Sequence, residues 1–342
     1  MAKKLSKVRI AFLGCGGMMG AHANRLKNHP EVEICALGDI SQSQLDKFVQ
    51  RNFTQDWTRP VPPLFCSEDH KLMYQQTKPD AVLIASPHTC HYEQGLQALD
   101  YGCHVFMEKP MVTDLGHAYK LAEAVKKRGK VFVVGYNTPC SGEFAYLRDC
   151  IRKGEFGKLE LVNGYLSQGW MKATVGLWRQ DPSKSGGGQA FDSGAHLLNS
   201  LCWSVEANVE EVFAFVDNHG CKVDINSALA IKFANGVMAS IVVSGNCPSD
   251  GAHMVFVFEN GRVEIDGWGG SWIKVWKGHE FIKYPPITAE MNWPSPDHNF
   301  IAAVLGKAQP RTSPLNGIIQ SQLMNAIYES ARTGKPARPK QK

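Results

Sequence analysis

A glycine turn follows a short β-rich run in the stretch Val8-Arg-Ile-Ala-Phe-Leu-Gly-Cys-Gly-Gly-Met-Met-Gly20, and residues 21–27 then form a helix-like segment. A strand, a glycine turn and a helix in this order are the context of a dinucleotide-binding fingerprint. Gly14 permits the tight turn, and Gly16 lets the backbone approach a pyrophosphate. The helix N-terminus offers that pyrophosphate free N–H groups and the positive end of a dipole. An ordinary turn is the alternative interpretation.

The turn departs from the G-x-G-x-x-G pattern at its third glycine. Met19 occupies that position, and Gly20 follows one residue late. The third glycine normally allows the helix to pack closely on the strand, so we expect this helix to start shifted or to lie further out. The predicted cofactor contacts in this stretch are Gly14, Gly16, Gly17, Met18 and Met19.

An acidic residue, Asp39, follows the second predicted strand at residues 32–37. A carboxylate at this place accepts hydrogen bonds from the adenosine ribose hydroxyls of a dinucleotide. It also repels a 2′-phosphate, and its neighbours Ile40 and Ser41 offer no arginine to bind one. The sequence therefore favours NAD over NADP as the cofactor. A helix-capping role for Asp39 is the alternative.

Strand-like and helix-like segments alternate through the rest of the first half. Residues 81–85 form a continuous apolar run, which is typical of a buried strand in a parallel sheet. Further strands are predicted at residues 64–66, 104–107 and 131–135, helices at 42–51, 67–76, 90–101 and 114–128, and a proline-rich loop at 52–63. This alternation predicts an N-terminal doubly wound parallel sheet of the Rossmann type.

Two polar stretches follow strands of this sheet, Ser86-Pro87-His88 after the fourth and Glu108-Lys109-Pro110 after the fifth. In an open parallel sheet, ligands bind just beyond the carboxyl ends of the strands. Pro110 ends its strand and keeps Lys109 out of the helical conformation, so the ammonium group projects from a stiff turn. A solvated loop lysine is the alternative. His88 and His91 are spaced as a metal pair, but without a clustered third ligand we expect no metal.

The order and spacing of these motifs resemble the Gfo/Idh/MocA family, which contains glucose–fructose oxidoreductase, inositol dehydrogenases and many sugar dehydrogenases. The resemblance covers nearly the whole chain. It implies that Lys109 is the catalytic lysine and contacts both cofactor and substrate. It implies that Glu108 and His88 contact the nicotinamide ribose region, and that Ser86 and Pro87 line the cofactor groove.

The resemblance bears on three further positions. It implies a cis peptide bond before Pro110. His91 is expected to orient its loop near the cofactor from the start of a helix, with a purely structural role as the alternative. Many family members carry an arginine shortly after the sixth strand, where this chain has Gly135-Tyr-Asn-Thr-Pro139, so no role is carried over from that arginine.

Three consecutive glycines, Gly186 to Gly188, form a flexible turn into a predicted helix that carries Asp192 and His196. Because these two residues are four apart, we expect them to share one helical face. A carboxylate paired with an imidazole holds its tautomer and tunes its pKa. In the family, a G-G-G turn followed by D-x-x-x-H supplies the substrate-side acid and base residues. A helix N-terminal aspartate with a packed histidine is the alternative.

The stretch before these glycines is rich in tryptophan. Trp178 and Arg179 are predicted substrate contacts. The indoles of Trp170, Trp178 and Trp293 suit the apolar faces of sugar rings, and core packing is an equal alternative for each.

Strand-like segments dominate the chain after Trp203. They lie at residues 209–216, 227–233, 237–244, 254–259, 262–266 and 272–276, and the hairpin dipeptides Asn235-Gly236 and Asn260-Gly261 separate two pairs of them. Helices at 297–305 and 317–331 close the chain. This pattern predicts a C-terminal α+β domain, residues 138–342, with a largely antiparallel open sheet; the Rossmann domain is residues 1–137. The open face of such a sheet favours a homo-oligomer, a dimer or tetramer.

The composition limits the partners. The chain has 342 residues, 44% of them hydrophobic, and a net charge of +5. Lysine and arginine are spread along the chain, without the runs that would suggest a nucleic-acid tail, so we expect no nucleic-acid partner. No apolar run approaches the roughly 18 residues that cross a membrane, and the apolar run after the basic residues 3–9 is too short for a signal peptide. The ten irregularly spaced cysteines indicate free thiols in the cytoplasm.

These features predict an NAD-dependent oxidoreductase that moves hydride between the nicotinamide and a secondary alcohol of a sugar, polyol or glycoside bound between the domains. His196 or Lys109 takes the hydroxyl proton, Lys109 stabilises the alkoxide, and Asp192 orients the substrate and His196. Two alternatives remain open. One is a redox-neutral glycosidase or lyase that retains NAD, and the other is a non-catalytic NAD or sugar sensor.

Overall fold

The computed structural model describes residues 6–53 and 65–341, and these residues form two compact units. The first unit combines the chain up to Val112 with Gly116–Gly135 and Ser295–Leu315. The second unit contains Thr113–Leu115, Tyr136–Pro294 and the chain from Asn316 onward. The expected second domain was the continuous stretch 138–342, whereas Ser295–Leu315 groups with the first unit. The functional boundary at 137/138 stays a prediction.

Six strands form the sheet of the first unit: β1 (Val8–Leu13), β2 (Val32–Gly38), β3 (Phe65–Ser67), β4 (Ala81–Ile84), β5 (His104–Met107) and β6 (Phe132–Val134). All neighbours are parallel, in the order β3-β2-β1-β4-β5-β6. This order is that of a dinucleotide-binding Rossmann sheet, and it confirms the predicted doubly wound fold. All four side chains of β4 are buried, as expected of an inner parallel strand.

Helices pack against this sheet. They are α1 (Gly17–Leu26), α2 (Gln42–Phe53), α3 (His70–Thr77), α4 (His91–Asp100), α5 (Leu115–Arg128) and, from the distant segment, α10 (Pro296–Val304). Leu45 and Phe48 of α2 and Phe300 of α10 lie in the same apolar core as β1. The third helix was predicted from residue 67, but α3 begins at His70, because the Asp69 carboxylate caps it by accepting from the backbone N–H groups of Lys71 and Leu72.

The second unit contains an eight-stranded sheet. Its strands are β7 (Leu159–Ser167), β8 (Val209–Asp217), β9 (Asn226–Phe233), β10 (Met238–Ser244), β11 (Gly251–Phe258), β12 (Gly261–Asp266), β13 (Ile273–Lys277) and β14 (Glu280–Ile282). They lie in the order β14-β13-β12-β11-β7-β10-β9-β8, and only the pair β7–β10 is parallel. The prediction of a largely antiparallel sheet is confirmed. Strand β14 was not predicted.

One face of this sheet is buried and the other is exposed. Side chains along β9 and β10 alternate strictly between buried and open positions. The buried face packs with helices of the same unit, α6 (Gly142–Lys153), α9 (Gly194–Val205) and α11 (Pro314–Thr333), and two short helices, α7 (Trp170–Ala173) and α8 (Pro182–Ser185), lie between β7 and α9 in the chain. All twelve residues of α9 are buried, so this helix lies inside the unit.

The structure does not describe every predicted segment. Helix α2 continues to Phe53, and the rest of the predicted loop at 52–63 lies outside the described residues, as does Leu64. The basic residues Lys3 and Lys4 also lie outside them. Within residues 6–53 and 65–341, no helix combines the length and the apolar character needed to cross a membrane.

Candidate functional site

The glycine turn after β1 requires glycine at its first position and is open at its third. Gly14 has φ +87°, and a Cβ there would lie 2.6 Å from the backbone nitrogen of Ser86. The N–H of Gly14 donates to the carbonyl of Gly38 at 2.8 Å. A Cβ on Gly16 or Gly17 would meet nothing within 4 Å. The turn is therefore fixed to the sheet on one side and open at the start of α1 on the other.

Helix α1 begins at Gly17 and presents an uncapped N-terminus. No side chain caps it, and no acidic residue lies in its first turn, so it suits an anionic group. Met18 is exposed beside this end, whereas the Met19 side chain is fully buried in the apolar core. Met19 thus packs the helix onto the sheet and leaves only its backbone for a cofactor contact.

Asp39, after β2, holds the glycine turn in shape. One of its carboxylate oxygens accepts from the N–H of Cys15 at 2.8 Å, and the other accepts from the N–H of Ser41 at 3.2 Å. The Gln44 side chain donates to the Cys15 carbonyl at 2.6 Å. The carboxylate thus binds the turn and the residue that precedes α2, and its contact with an adenosine ribose stays a prediction.

The loop after β4 is tied to the loop after β5 by His91. Its Nδ1 lies 2.8 Å from the Pro110 carbonyl oxygen, and its Nε2 lies 3.0 Å from the Ser86 carbonyl oxygen. Burial lowers the pKa of His91, so the neutral ring donates to one carbonyl at a time. The Ser86 hydroxyl donates to Gln94 at 2.5 Å, and His88 is buried in the short turn before α4. The structure thus places Ser86, Pro87 and His88 in the loop after β4, at the carboxyl edge of the sheet, and His91 at the start of α4.

Glu108 and Lys109 follow β5 at the same edge. The N–H of Glu108 donates to the Ile84 carbonyl at 2.9 Å, and its buried carboxylate accepts from the backbone N–H of Lys109 at 3.1 Å. The peptide bond between Lys109 and Pro110 is cis, which confirms that expectation. The Glu108 carboxylate therefore fixes the backbone that carries the Lys109 side chain.

A buried histidine that the sequence analysis missed supports Glu108. His22 of α1 lies 3.0 Å from a Glu108 oxygen and 2.6 Å from an Asp297 oxygen, and Arg25 donates to the other Asp297 oxygen at 2.6 Å. Burial alone would lower the pKa of His22, but Asp297 and Glu108 raise it to about 9. Burial raises the pKa of Asp297, yet His22 and Arg25 lower it to about 2. No local motif marks this network, because Asp297 is 275 residues from His22.

In the second unit, Asp192 is held by two donors. The Trp170 indole N–H donates to one carboxylate oxygen at 2.9 Å, and Arg179 Nε donates to the same oxygen at 3.1 Å. The Arg179 guanidinium also stacks over the Trp178 ring at 4.6 Å. Helix α9 starts only at Gly194, so Asp192 lies in the preceding turn. The expectation that Asp192 shares a helical face with His196 is therefore wrong.

His196 lies in the first turn of α9 among aromatic rings. Its ring centroid is 4.5 Å from that of Trp268 and 6.2 Å from that of Tyr136. Neither aromatic residue was predicted as a neighbour, because neither is near His196 in the sequence. Trp170 is buried as the partner of Asp192, which excludes it as a sugar-stacking surface, whereas Trp178 and Trp293 are partly exposed.

The turn before Asp192 is hydrogen-bonded to Asp224. The carboxylate of Asp224 accepts from the N–H groups of Gly188 and Ala190, both at 2.7 Å, and from the Tyr328 hydroxyl at 2.6 Å. Burial and the Asp224 carboxylate raise the pKa of Tyr328, so its hydroxyl keeps its proton. A Cβ on Gly188 would lie 1.9 Å from the Asp224 carbonyl oxygen. The close approach to Asp224 requires glycine at Gly188.

Metal binding has no support in the described part of the chain, where no three His, Cys, Asp or Glu residues are placed to hold an ion. His88 and His91, which are spaced as a metal pair but for which no metal was expected, form no such group, and the His91 ring lies between the carbonyls of Pro110 and Ser86.

Comparison with known proteins identifies the family of this fold and site. The sequence profile of the GFO/IDH/MocA oxidoreductase family, NAD-binding Rossmann fold, matches residues 8–136, and the profile of the GFO/IDH/MocA C-terminal domain matches residues 144–271. The WlbA dehydrogenase from Chromobacterium violaceum, solved with NADH and UDP-GlcNAcA, shares the fold with a TM-score of 0.85 at 22% identity, over 100% of this chain and 98% of that one.

Two relatives of known class align with part of the chain. D-glucoside 3-dehydrogenase of Escherichia coli (strain K12) is 27% identical over 202 residues, 58% of this chain and 54% of that protein. A glycosyl hydrolase family 109 protein of Shewanella baltica (strain OS155 / ATCC BAA-1091) is 25% identical over 161 residues, 46% of this chain and 35% of that protein. The chain thus spans about half or less of the length of these two relatives. With both halves matched by the family's own profiles, the chain belongs to the GFO/IDH/MocA oxidoreductase family and carries its NAD-binding Rossmann fold.

Proposed function

We propose that the protein is an NAD-dependent oxidoreductase that transfers hydride between the cofactor and a secondary alcohol of a sugar, polyol or glycoside. One observation carries the proposal. An open glycine turn at the start of α1 and a lysine fixed by a buried carboxylate lie after β1 and β5 of one parallel sheet, at its carboxyl edge. This edge is where such a sheet binds its ligand.

The residues of the first unit fit NAD. The free space at Gly16 and Gly17 accommodates the pyrophosphate, and the uncapped helix end receives its charge. Asp39 accepts from the adenosine ribose and disfavours a 2′-phosphate, which supports NAD over NADP. When bound, the nicotinamide supplies the hydride acceptor. Glu108 binds near the nicotinamide ribose. Lys109 accepts the hydroxyl proton and stabilises the negative charge on the alcohol oxygen.

The residues of the second unit bind the substrate in this proposal. The Arg179 guanidinium and the Trp170 N–H orient the Asp192 carboxylate, which accepts hydrogen bonds from sugar hydroxyls. Trp178 and Arg179 contribute a stacked apolar and cationic surface beside it. His196 is the alternative to Lys109 as the proton acceptor.

A direct assay tests the proposal. Purified protein is mixed with NAD and a panel of sugars, inositols and aryl glycosides, and NADH absorbance is followed while glycoside cleavage is measured in parallel. We expect substrate-dependent NADH formation. If the protein binds NAD but shows neither NADH formation nor glycoside cleavage, the proposed activity would be contradicted and a sensor would be favoured.

A second function is favoured by one observation, the similarity to a glycosyl hydrolase family 109 protein. In this redox-neutral alternative, the chain uses the same residues, retains NAD and cleaves a glycoside without net oxidation. Glycoside cleavage without accumulation of NADH would identify this alternative in the assay above.

The glycine turn provides a sharp test of cofactor binding. Gly16→Ala adds a Cβ where the protein has no atom within 4 Å, so we expect folding to be retained within about 1 kcal/mol. The same Cβ occupies the space for the pyrophosphate, so the Kd for NADH should rise about tenfold or more, which equals about 1.4 kcal/mol. Calorimetric titration with NADH and a urea unfolding curve measure the two effects.

Gly14→Ala is the matched control for that test. Its Cβ would strike the backbone of Ser86, and alanine disfavours φ +87°, so the free energy of unfolding should fall by about 2 kcal/mol or more. If Gly16→Ala bound NADH as tightly as the natural chain, the pyrophosphate would not lie at this turn.

The exposed face of the second sheet supports a homo-oligomer. Its apolar side chains include Leu161, Phe215, Met238 and Val242, each between 44% and 67% exposed. Met238 pairs with Leu161 across β10 and β7, and Val242 and Phe215 each pair with Ala228 of β9, so these side chains lie on neighbouring strands and form a patch. We propose that a second copy of the chain covers this patch in a dimer or tetramer.

The ten free cysteines support a reducing, cytoplasmic location.

Charges placed on this patch should prevent assembly. For the double variant Met238→Glu/Val242→Glu, we expect a monomer by light scattering after gel filtration, because two buried, unpaired carboxylates are costly at an interface. Leu72→Glu, on the exposed surface of α3, is the control and should leave the mass unchanged. A monomeric natural chain, or an oligomeric double variant, would refute the proposed interface.

A further inference from the structure

A chain of hydrogen bonds runs from α1 and α10 to the backbone of Lys109, entirely within the first unit. Arg25 Nε donates to Asp297 at 2.6 Å, and His22 Nδ1 donates to the other Asp297 oxygen at 2.6 Å. His22 Nε2 donates to Glu108 at 3.0 Å, and the Lys109 N–H donates to the second Glu108 oxygen at 3.1 Å. The sequence motifs assign roles to Glu108 and Lys109 but none to His22.

The inner members of this chain are shielded from water. His22 is 1% exposed, Asp297 is 0% exposed and Glu108 is 7% exposed. A buried carboxylate is costly unless a charged or hydrogen-bonding partner compensates it. The charges alternate along the chain from the Arg25 guanidinium through Asp297 and His22 to Glu108. His22 is thus the cation that compensates the Glu108 carboxylate.

The geometry specifies the protonation of His22. Both ring nitrogens face carboxylate oxygens, and only the imidazolium donates from both. Arg25 Nη2 also approaches Nδ1, at 2.8 Å, but the shorter contact with Asp297 determines that this nitrogen carries a proton. The two carboxylates outweigh burial and raise the pKa of His22 to about 9, so the ring is charged at neutral pH.

We propose that His22 is a positioning residue, whose imidazolium is anchored by Asp297 and fixes the Glu108 carboxylate, and through it the Lys109 backbone, for the nicotinamide half of the cofactor site. The inference rests on the proposed place of Glu108 beside the nicotinamide ribose. It assigns to a residue of α1 an effect on the nicotinamide half of the cofactor, whereas the N-terminus of the same helix binds the pyrophosphate.

The test uses two ligands of the full-length protein. NADH engages both halves of the site, whereas ADP carries the adenosine and pyrophosphate alone. In His22→Gln, the amide cannot supply the charge, so we expect the Kd for NADH to rise about tenfold, or about 1.4 kcal/mol. The Kd for ADP should stay within about twofold, because the glycine turn and Asp39 are untouched. Fluorescence and calorimetric titrations measure both constants.

A double-mutant cycle identifies the route of the effect. If His22 acts through Glu108, the variant His22→Gln/Glu108→Gln should bind NADH no more than about twofold more weakly than Glu108→Gln alone. Equal weakening of NADH and ADP would mean that His22 only supports α1, and full additivity in the cycle would mean that it does not act through Glu108. Either result overturns the inference.

The pH dependence gives a second readout. The charged groups that face His22 are Asp297 on α10, Glu108 after β5 and Arg25 on α1. The pKa of Asp297 is about 2, so that group does not titrate at alkaline pH. Because the folded-state pKa of His22 lies above its ordinary value of 6.5, its charge is present below about pH 6.5 in both states and is lost from the folded chain as the pH rises through about 9.

The natural chain should therefore lose NADH affinity across pH 9, and His22→Gln should lack that loss. An identical pH profile in the two proteins would contradict the inference. If the natural chain turned over no substrate, the proposed reaction would be wrong, but the NADH, ADP and pH measurements would still decide the role of His22.

Discussion

Replacing Lys109 by alanine should lower kcat by roughly a thousandfold, because the variant loses both the proton-transfer group and the cation that stabilises the alkoxide. Lys109 follows β5 at the carboxyl edge of the parallel sheet, and its backbone is fixed by the buried Glu108 carboxylate. Affinity for NADH should be nearly unchanged, because the variant keeps the glycine turn, Asp39 and the Glu108 carboxylate. Steady-state kinetics and NADH titration on the same preparation measure both values.

Lys109→Arg separates proton transfer from charge. Arginine keeps the positive charge but does not release a proton. If Lys109 is the base, the arginine variant should be nearly as inactive as the alanine variant. Recovery of most of the activity would assign the base to His196 and leave Lys109 as an electrostatic group. Loss of NADH binding together with turnover in Lys109→Ala would contradict a catalytic role and indicate a structural lysine.

Gly188→Ala should destabilise the second unit by about 3 kcal/mol or more. The added Cβ would lie 1.9 Å from the Asp224 carbonyl oxygen, and the three nearest atoms all belong to the Asp224 backbone, so no flexible side chain can move to relieve the clash. The displacement would also break the hydrogen bonds from Gly188 and Ala190 to the Asp224 carboxylate and leave a buried charge undercompensated. Overpacking and loss of charged hydrogen bonds each cost about 1 to 3 kcal/mol.

Urea unfolding of Gly188→Ala measures this loss, with two comparison variants. Gly269→Ala adds a Cβ whose nearest contact is 3.7 Å away, so it should change the free energy of unfolding little. Tyr328→Phe removes a single hydroxyl from Asp224 and should cost about 1 kcal/mol. Suppose that Gly188→Ala and Gly269→Ala had the same free energy of unfolding. The turn before Asp192 would then be mobile enough to accept the added Cβ, and its contacts with Asp224 would not constrain it.

The parallel sheet was predictable from sequence because its signals are local. The apolar run of β4, the glycine turn after β1 and the regular alternation of strands and helices each lie within a few residues. The strand order then follows the Rossmann pattern. Short strands at the edge of a sheet were harder to predict from the sequence. Strand β14 has three residues, two of them exposed, and therefore shows little hydrophobic pattern.

The supports of the site could not be predicted because they join distant segments. His22 pairs with Asp297 across 275 residues, and Tyr328 reaches Asp224 across 104 residues. The spacing of Asp192 and His196 gave a wrong prediction of a shared helical face. A four-residue interval indicates a shared face only inside a helix, and α9 starts two residues after Asp192. Sequence patterns therefore supply candidates for ligand contact, but they do not mark the distant residues that hold those candidates in place.

Transfer of an isotope from carbon to cofactor tests hydride transfer most directly. The best substrate from the panel is prepared with deuterium at the carbon that is oxidised, and it is incubated with the protein and NAD. Mass spectrometry should find one deuterium in the NADH. Return of the deuterium to a released sugar would identify the redox-neutral alternative. Product formation with unlabelled NADH and without deuterium in the sugar would contradict hydride transfer to NAD.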